Sequence, residues 1–128
     1  MSNKFTYSGR IRSVWYALRG IALMVRTQHN AWIHALATVL VTGLGIFLRL
    51  SSSEWCWLVL AIIAVWTAEA LNTALELLAD VASPEFHPLV KQAKDVAAGA
   101  VLISSIGSIL IGLFILGPHF MSIVLHFR

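Results

Sequence analysis

Apolar residues run along the chain in three long blocks that are separated by short polar stretches. The blocks extend over residues 31–48, 55–78 and 96–116. A helix crosses the ~30 Å hydrocarbon core of a bilayer in about 20 residues, so each block with its flanks is long enough to span it. The pattern therefore predicts three transmembrane helices. The "GPHF" stretch at residues 117–120 is expected to end the third span.

A further helix is predicted before the first block, over about residues 8–26. Its apolar residues fall on one helical face, and three arginines form a stripe with a seven-residue period on another side. The apolar members are Ile11, Val14, Trp15, Leu18, Ile21 and Val25, and the basic members are Arg12, Arg19 and Arg26. This pattern is typical of a helix that lies on a membrane surface. We therefore expect an all-α integral membrane protein, with an amphipathic surface helix and three transmembrane helices in a single domain over residues 1–128.

Composition and charge support a membrane protein and suggest its orientation. The chain is 59% hydrophobic and 12% charged, whereas soluble domains are nearer a quarter charged. Basic residues from Lys4 to Arg26 precede the first block, with no acidic residue among them. A positive flank of this kind favours the cytoplasmic side and anionic lipid over nucleic acid. With three spans, the connection between the second and third helices lies on the same side.

Polar residues interrupt the end of the second block at regular spacing. Five of them share a sector roughly 100° wide on a helix, namely Glu69, Asn72, Thr73, Glu76 and Asp80. Leucines occupy the other sides, so we expect this polar face to point at protein or water. Counted from Trp55, Glu69 lies ~21 Å along the helix. A carboxylate that deep in a bilayer costs several kcal/mol, so it is expected to be paired or used.

The third block begins with charges at the depth of this polar face, where Lys91, Lys94 and Asp95 share one helical side. Phosphoryl transfer from a nucleotide requires carboxylates that hold Mg²⁺ and cations that hold phosphate. The sequence contains neither a GxxxxGK[ST] phosphate loop nor an HExxH zinc motif. Two alternatives stay open from the residues alone. The charges could be ion pairs that orient a helical bundle, or the chain could be a small proton-coupled transporter that uses Glu69.

The stretch "EALNTALELLAD", followed by "SPEFHPLVKQAKDVAAGAVL", resembles the prokaryotic diacylglycerol kinase family of small integral-membrane lipid kinases. Within that family, the second stretch is closer to the undecaprenol kinase branch. The resemblance implies a homotrimer with active sites shared between neighbouring protomers. It also implies a bacterial inner-membrane location, with the N-terminus and the site on the cytoplasmic side. The expected reaction transfers the γ-phosphoryl group of Mg·ATP to a lipid hydroxyl, and undecaprenol and diacylglycerol both fit that chemistry.

The resemblance also implies roles for individual positions. Glu69 matches the catalytic base, Asn72 its neighbour in the site, and Glu76 a carboxylate that holds the metal. Nucleotide-binding positions are implied for Arg10, Tyr16, Glu76, Glu85, His87, Lys94 and Asp95. Asp80 matches a further acidic position of the site. Where the family usually has a second metal-binding glutamate, this chain has Gln28, whose amide oxygen is expected to bind Mg²⁺ without contributing charge.

Two further polar side chains lie within the predicted spans. His34 falls in the first turns of the first span and is interpreted as a packed or interfacial histidine rather than as a ligand. Trp66 lies deeper in the second span than Trp55 and is interpreted as a packing residue. Neither is expected to take part in the chemistry.

Overall fold

The computed structural model describes residues 7–126, which form four α-helices. In chain order they are α1 (Tyr7–Thr27), α2 (His29–Phe47), α3 (Ser52–Ala82) and α4 (Pro88–His126). The last three are long and apolar enough to cross a membrane. The described range contains no strand. The all-helical fold class and the three apolar helices are thus confirmed, whereas the membrane-surface position of α1 stays a prediction. Lys4, part of the basic flank, lies outside the described residues.

The helices α3 and α4 pack antiparallel, and their interface is the most extensive one among the described helices. Three polar contacts between them fix the register, at the start, middle and end of α3. They join Glu54 to His119 (2.8 Å), the backbone oxygen of Ala61 to Ser108 (3.0 Å) and Asp80 to Lys94 (2.5 Å). The paired stretch of α3 is therefore ~39 Å long at 1.5 Å per residue, somewhat more than the thickness of a hydrocarbon core.

The ends of α3 and α4 follow local rules of helix capping. At the start of α3, Ser51 Oγ accepts a hydrogen bond from the backbone N–H of Glu54 (3.4 Å), and the Glu54 carboxylate accepts one from the N–H of Ser51 (2.7 Å). This reciprocal pair satisfies two N–H groups that the helix leaves free. Pro84 follows the end of α3, and Pro88 is the first residue of α4, where its missing N–H is not needed.

The predicted end of the third span at residues 117–120 is wrong as a helix end. Pro118 lies inside α4, which continues to His126. Proline removes one backbone donor, here the partner of the Phe114 carbonyl oxygen, and disfavours a helix interior by about 3 kcal/mol. A membrane helix tolerates that loss, because hydrocarbon offers no other partners to the backbone groups that a broken helix would expose.

Close packing holds the tip of α2 against the start of α3. Gly45 is buried there, and a Cβ atom at this position would lie 2.9 Å from the Trp55 ring and 3.1 Å from Leu50. Beside this contact, a small apolar cluster joins α3 to α4 and includes Leu58 and Leu116. Outside the bundle, large apolar side chains stay exposed along α2 and α4, as expected for helices that face lipid or another protomer.

The helix α1 packs on the rest of the chain through its last turns. Met24 is buried, while Ile11, Trp15 and Leu18 on the predicted apolar face are exposed. This arrangement leaves the apolar face of α1 available to a membrane surface. It also places the end of α1, and the residue that joins it to α2, close to the polar face of α3.

Candidate active site

The polar face of α3 runs from the interior of the bundle to its surface. Glu69 has 0% of its surface exposed, and Asn72 and Thr73 are also buried. Glu76 is half-buried, and Asp80 is exposed. The face therefore connects a buried carboxylate with the polar end of the helix within three turns.

A cavity of about 280 Å³ opens between α2, α3 and α4 at the buried end of this face. The polar part of its wall comes from α2 and α3, and the wall from α4 is apolar except for one serine. Its lining residues are Asn30, Ile33 and His34 of α2, Glu69, Asn72 and Glu76 of α3, and Ala98, Val101, Leu102 and Ser105 of α4. A polar head group and the start of an apolar chain could both be accommodated by such a wall.

Glu69 lies in this cavity without a hydrogen-bond partner among the described residues. Both of its carboxylate oxygens are buried and unbonded. The nearest basic group is His34, whose Nε2 lies 3.9 Å from Glu69 Oε2, beyond hydrogen-bond distance. Buried polar groups in folded proteins are nearly always bonded, so an unpartnered carboxylate marks a place where a ligand would donate a hydrogen bond. The Glu69 carboxylate is therefore suited to accept a proton from a bound ligand.

Glu76 is the next carboxylate along α3, and two side-chain amides donate hydrogen bonds to it. Gln28 Nε2 donates to one of its oxygens (3.0 Å) and Asn72 Nδ2 donates to the other (3.0 Å). Gln28 is the N-cap residue of α2 and has an extended backbone, which turns the chain from α1 into α2 beside α3. The structure thus brings together the positions for which the sequence predicts catalytic and metal-binding roles.

These oxygens fit the ligand chemistry of Mg²⁺. The ion prefers oxygen ligands, and proteins usually hold it through one or two carboxylates while substrate phosphates and water complete its shell. Glu76 supplies a carboxylate, Gln28 an amide beside it, and Asn72 a buried Oδ1 with no hydrogen-bond partner. Within the described part of the chain, no group of three or more His, Cys, Asp or Glu side chains could hold a metal.

The predicted cationic positions lie just beyond the cavity, at the start of α4. Lys94 Nζ donates to Asp80 across to α3 (2.5 Å), and Lys91 Nζ donates to Asp95 within α4 (2.6 Å). None of these four side chains lines the cavity. Lys94 precedes the lining residue Ala98 by about one helical turn, so their backbones are about 6 Å apart along the axis of α4.

Four other predicted positions lie away from the cavity. Glu85 and His87 belong to the exposed connection between α3 and α4, where His87 Nδ1 accepts a hydrogen bond from the N–H of Leu89 (3.3 Å) and so caps α4. Arg10 and Tyr16 lie on α1, and both are exposed. In a single chain, the structure does not bring these four residues into the cavity.

The sequence interpretation missed His34, which lines the cavity and faces Glu69. The available signal was a series of polar residues at i, i+4 and i+8 in a predicted transmembrane helix, formed by Asn30, His34 and Thr38. Trp66, interpreted as a packing residue, is half-buried, and its Nε1 donates to Thr38 Oγ1 (3.1 Å), which joins α3 to α2 near the buried carboxylate.

Three helices of membrane-spanning length surround a cavity with a buried, unbonded carboxylate, an arrangement typical of an integral membrane protein with an internal polar site. Residues 15–116 match the model of the prokaryotic diacylglycerol kinase family, and the chain belongs to this family. The resemblance seen in the sequence is therefore confirmed. Since the family consists of lipid kinases, the chain is placed among lipid kinases, and the transporter alternative is not favoured.

Named relatives agree with this placement. The chain is 41% identical over 107 residues to an undecaprenol kinase of Bacillus subtilis, a match that covers 84% of this chain and 87% of the relative. It is 36% identical over 110 residues to a diacylglycerol kinase of Synechocystis, covering 85% of this chain and 63% of the relative. A diacylglycerol kinase of Escherichia coli strain K12 is 27% identical over 128 residues, covering 94% and 99%.

Proposed function

We propose that this protein transfers the γ-phosphoryl group of Mg·ATP to the hydroxyl group of a membrane lipid, with undecaprenol as the acceptor. The observation that carries the proposal is Glu69, which is fully buried and bonded to nothing in a cavity that also holds Glu76. A buried base and a metal-binding carboxylate on one helical face are the parts that a kinase requires. The acceptor follows from the relative of Bacillus subtilis, which is an undecaprenol kinase.

In the proposed reaction, the lipid hydroxyl enters the cavity and donates a hydrogen bond to Glu69. Its oxygen attacks the γ-phosphorus, its proton passes to the Glu69 carboxylate, and the bond to the leaving ADP oxygen breaks. Glu76 would hold Mg²⁺ together with the amide oxygens of Gln28 and Asn72. When bound, Mg²⁺ neutralises charge on the transferring phosphate. A positioned general base typically contributes ~10²- to 10⁴-fold to such a rate.

We assign nucleotide binding to positions outside the cavity, namely Arg10, Tyr16, Glu85, His87, Lys94 and Asp95. The cavity of one chain has no Lys or Arg in its wall, although triphosphate binding requires cations. Cations must therefore reach the site from its rim or from another protomer. A homotrimer with shared sites meets this requirement, because α1 of one protomer would then contribute to the cavity of its neighbour.

The proposed orientation places α1 and the α3–α4 connection on the cytoplasmic side of a bacterial inner membrane. Basic residues concentrate on that side, in the arginine stripe of α1 and at the start of α4. Positive charge favours the cytoplasmic flank of short loops. ATP is thereby available to the end of the cavity at which Glu76 and Lys94 lie.

The proposal is tested by incubating the purified protein with radiolabelled ATP and undecaprenol, diacylglycerol or ceramide in separate mixed micelles. We expect label in the lipid phase, greatest with undecaprenol and absent with a Glu69→Gln variant. Greater labelling of diacylglycerol would replace the proposed acceptor while keeping the kinase reaction. No label in any lipid would contradict the proposed function.

A further inference from the structure

We infer that His34 is a positioning residue for Glu69, donating a hydrogen bond from Nε2 that holds the carboxylate ionised and aimed at the lipid hydroxyl. The inference rests on the proposed function, in which Glu69 is the base. Its geometric basis is the 3.9 Å distance between His34 Nε2 and Glu69 Oε2 across the cavity. A shift of ~1 Å in either side chain brings the two atoms to hydrogen-bond distance.

No other described side chain meets this need. The Asn72 amide is turned toward Glu76, and the α4 wall offers apolar residues and one serine. The ionisable groups that line the cavity are His34 from α2, and Glu69 and Glu76 from α3, with none from α4. His34 is therefore the basic group available to the buried carboxylate within this wall.

Two hydrogen bonds also link the backbone of His34 to α3. Thr38 Oγ1 donates to the backbone oxygen of His34 (2.7 Å), and Trp66 Nε1 donates to Thr38 Oγ1 (3.1 Å). Trp66 lies one turn before Glu69 on α3, so this chain of bonds ties the His34 turn of α2 to the helix that carries the base. This link holds the two helices together at the level of His34 and Glu69.

The physical need for a donor follows from burial. A carboxylate without water or a cation is costly in its charged form, and Glu69 must be charged to accept a proton. A hydrogen bond donated to a charged group stabilises that form more strongly than one between neutral groups. A His34 ring that carries its proton on Nε2 supplies this bond to Oε2 and leaves Oε1 free for the substrate.

The test compares variants that keep or remove the donor. His34→Met removes it at similar volume, and we expect kcat to fall ~10- to 100-fold, with the KM for ATP unchanged. The acid limb of the pH profile of kcat should move to higher pH, because an unsupported Glu69 takes up a proton more readily. His34→Gln restores a donor at a similar reach and should be about tenfold more active than His34→Met, with the acid limb of the parent.

Ile33→Met provides a matched control, since Ile33 lines the same cavity but has no donor to lose. Its acid limb should coincide with that of the parent. A second readout does not depend on turnover. The infrared band of the Glu69 carboxyl group, isolated by subtracting the spectrum of Glu69→Gln, should show more of the protonated form in His34→Met than in the parent at the same pH.

The assignment is overturned if His34→Met keeps the parental rate and acid limb. It is also overturned if His34→Gln is as impaired as His34→Met with the limb unmoved, which would indicate packing. Should His34→Met fail to assemble, His34→Asn replaces it, because its shorter amide does not reach Glu69 and the same loss is expected. An inactive parent would instead contradict the proposed function, and this inference with it.

Discussion

Two glutamates lie on the same face of α3 within two helical turns, and their surroundings give them different chemistry. The oxygens of Glu69 are buried and unbonded, whereas each oxygen of Glu76 accepts an amide hydrogen bond. A buried carboxylate without partners is open to a hydrogen bond from a substrate hydroxyl, whereas a carboxylate whose two oxygens both accept amide hydrogen bonds is fixed in orientation. This difference supports a proton-accepting role for Glu69 and a metal-binding role for Glu76.

Gln28→Glu tests the metal position directly. The substitution places a second carboxylate beside Glu76, where the Gln28 amide now lies 3.0 Å away. Carboxylates are stronger ligands for Mg²⁺ than amides, so half-maximal activity should require less Mg²⁺, on the order of tenfold. The gain should fade at saturating Mg²⁺. Thermal unfolding provides a second measurement, because the paired carboxylates should lower the Tm in chelator and Mg²⁺ should restore it.

Thr27→Glu is the control for Gln28→Glu, since it adds the same charge at the neighbouring, exposed position. It should leave the Mg²⁺ dependence of activity unchanged. A Gln28→Glu titration curve that superimposes on that of the parent would remove Gln28 from the metal site.

Lys94→Ala should raise the KM for ATP roughly tenfold with a smaller change in kcat, because it removes the cation that the proposed function assigns to the nucleotide phosphates. The matched control is Lys91→Ala, which removes the same charge one turn earlier on α4, where Lys91 pairs with Asp95. Steady-state kinetics with ATP and lipid varied separately distinguish the two. A change in the KM for lipid alone would assign Lys94 to the other substrate.

For individual residues, the sequence predicted which side chains share one face of a helix. It did not predict which side chains of different helices are in contact. The spacing of Glu69, Asn72 and Glu76 indicates a shared face without any tertiary information. The contact of Gln28 with Glu76 joins positions 48 residues apart, and that of His34 with Glu69 joins α2 to α3. No local rule predicts which side chains of two packed helices become neighbours.

The stability of the helix packing depends on how closely the end of α2 approaches the start of α3. Gly45 on α2 is in contact with Trp55, whereas Gly43, half a turn earlier, has nothing within 4 Å of a Cβ position. Gly45→Ala should therefore destabilise the fold by ~1–3 kcal/mol through overpacking. Gly43→Ala should be neutral or stabilising by ~0.5–1 kcal/mol, as alanine is the better helix former.

Thermal unfolding of the purified variants in one detergent checks this pair. Equal Tm values for Gly45→Ala and Gly43→Ala would mean that the contact between α2 and Trp55 does not limit stability. Since the site is at the other end of the bundle, neither substitution is expected to change the KM for ATP or for Mg²⁺.

Helix boundaries show where local signals suffice and where they fail. Apolar length predicted the three long helices, and Pro84 lies two residues after the end of α3. The same reasoning failed at Pro118, because the backbone of a membrane helix has no alternative partners and therefore continues through one proline. Rules derived from helices in water describe the start of α4 well and its end poorly.

The described part of the molecule presents much apolar surface to its surroundings, and one line of polar groups follows α3 toward its C-terminal end. That line runs from the buried Glu69, through Glu76, to the exposed pair of Asp80 and Lys94. In the proposed reaction, a lipid hydroxyl would reach one end from the bilayer, and a nucleotide would reach the other from water. The fold of a single chain does not bring Arg10 or Glu85 to the cavity. The trimer and the nucleotide-binding positions are therefore expectations that come from the family resemblance alone.

The central claim is that Glu69 takes the proton from the lipid hydroxyl during phosphoryl transfer. It is tested most directly by the kcat of Glu69→Gln for lipid phosphorylation, measured at saturating Mg·ATP on protein with the elution volume and Tm of the parent. The account predicts a fall of ~10²- to 10⁴-fold, because glutamine has the shape of glutamate but cannot accept the proton. Turnover close to that of the parent, from a variant that is folded and assembled, would contradict it.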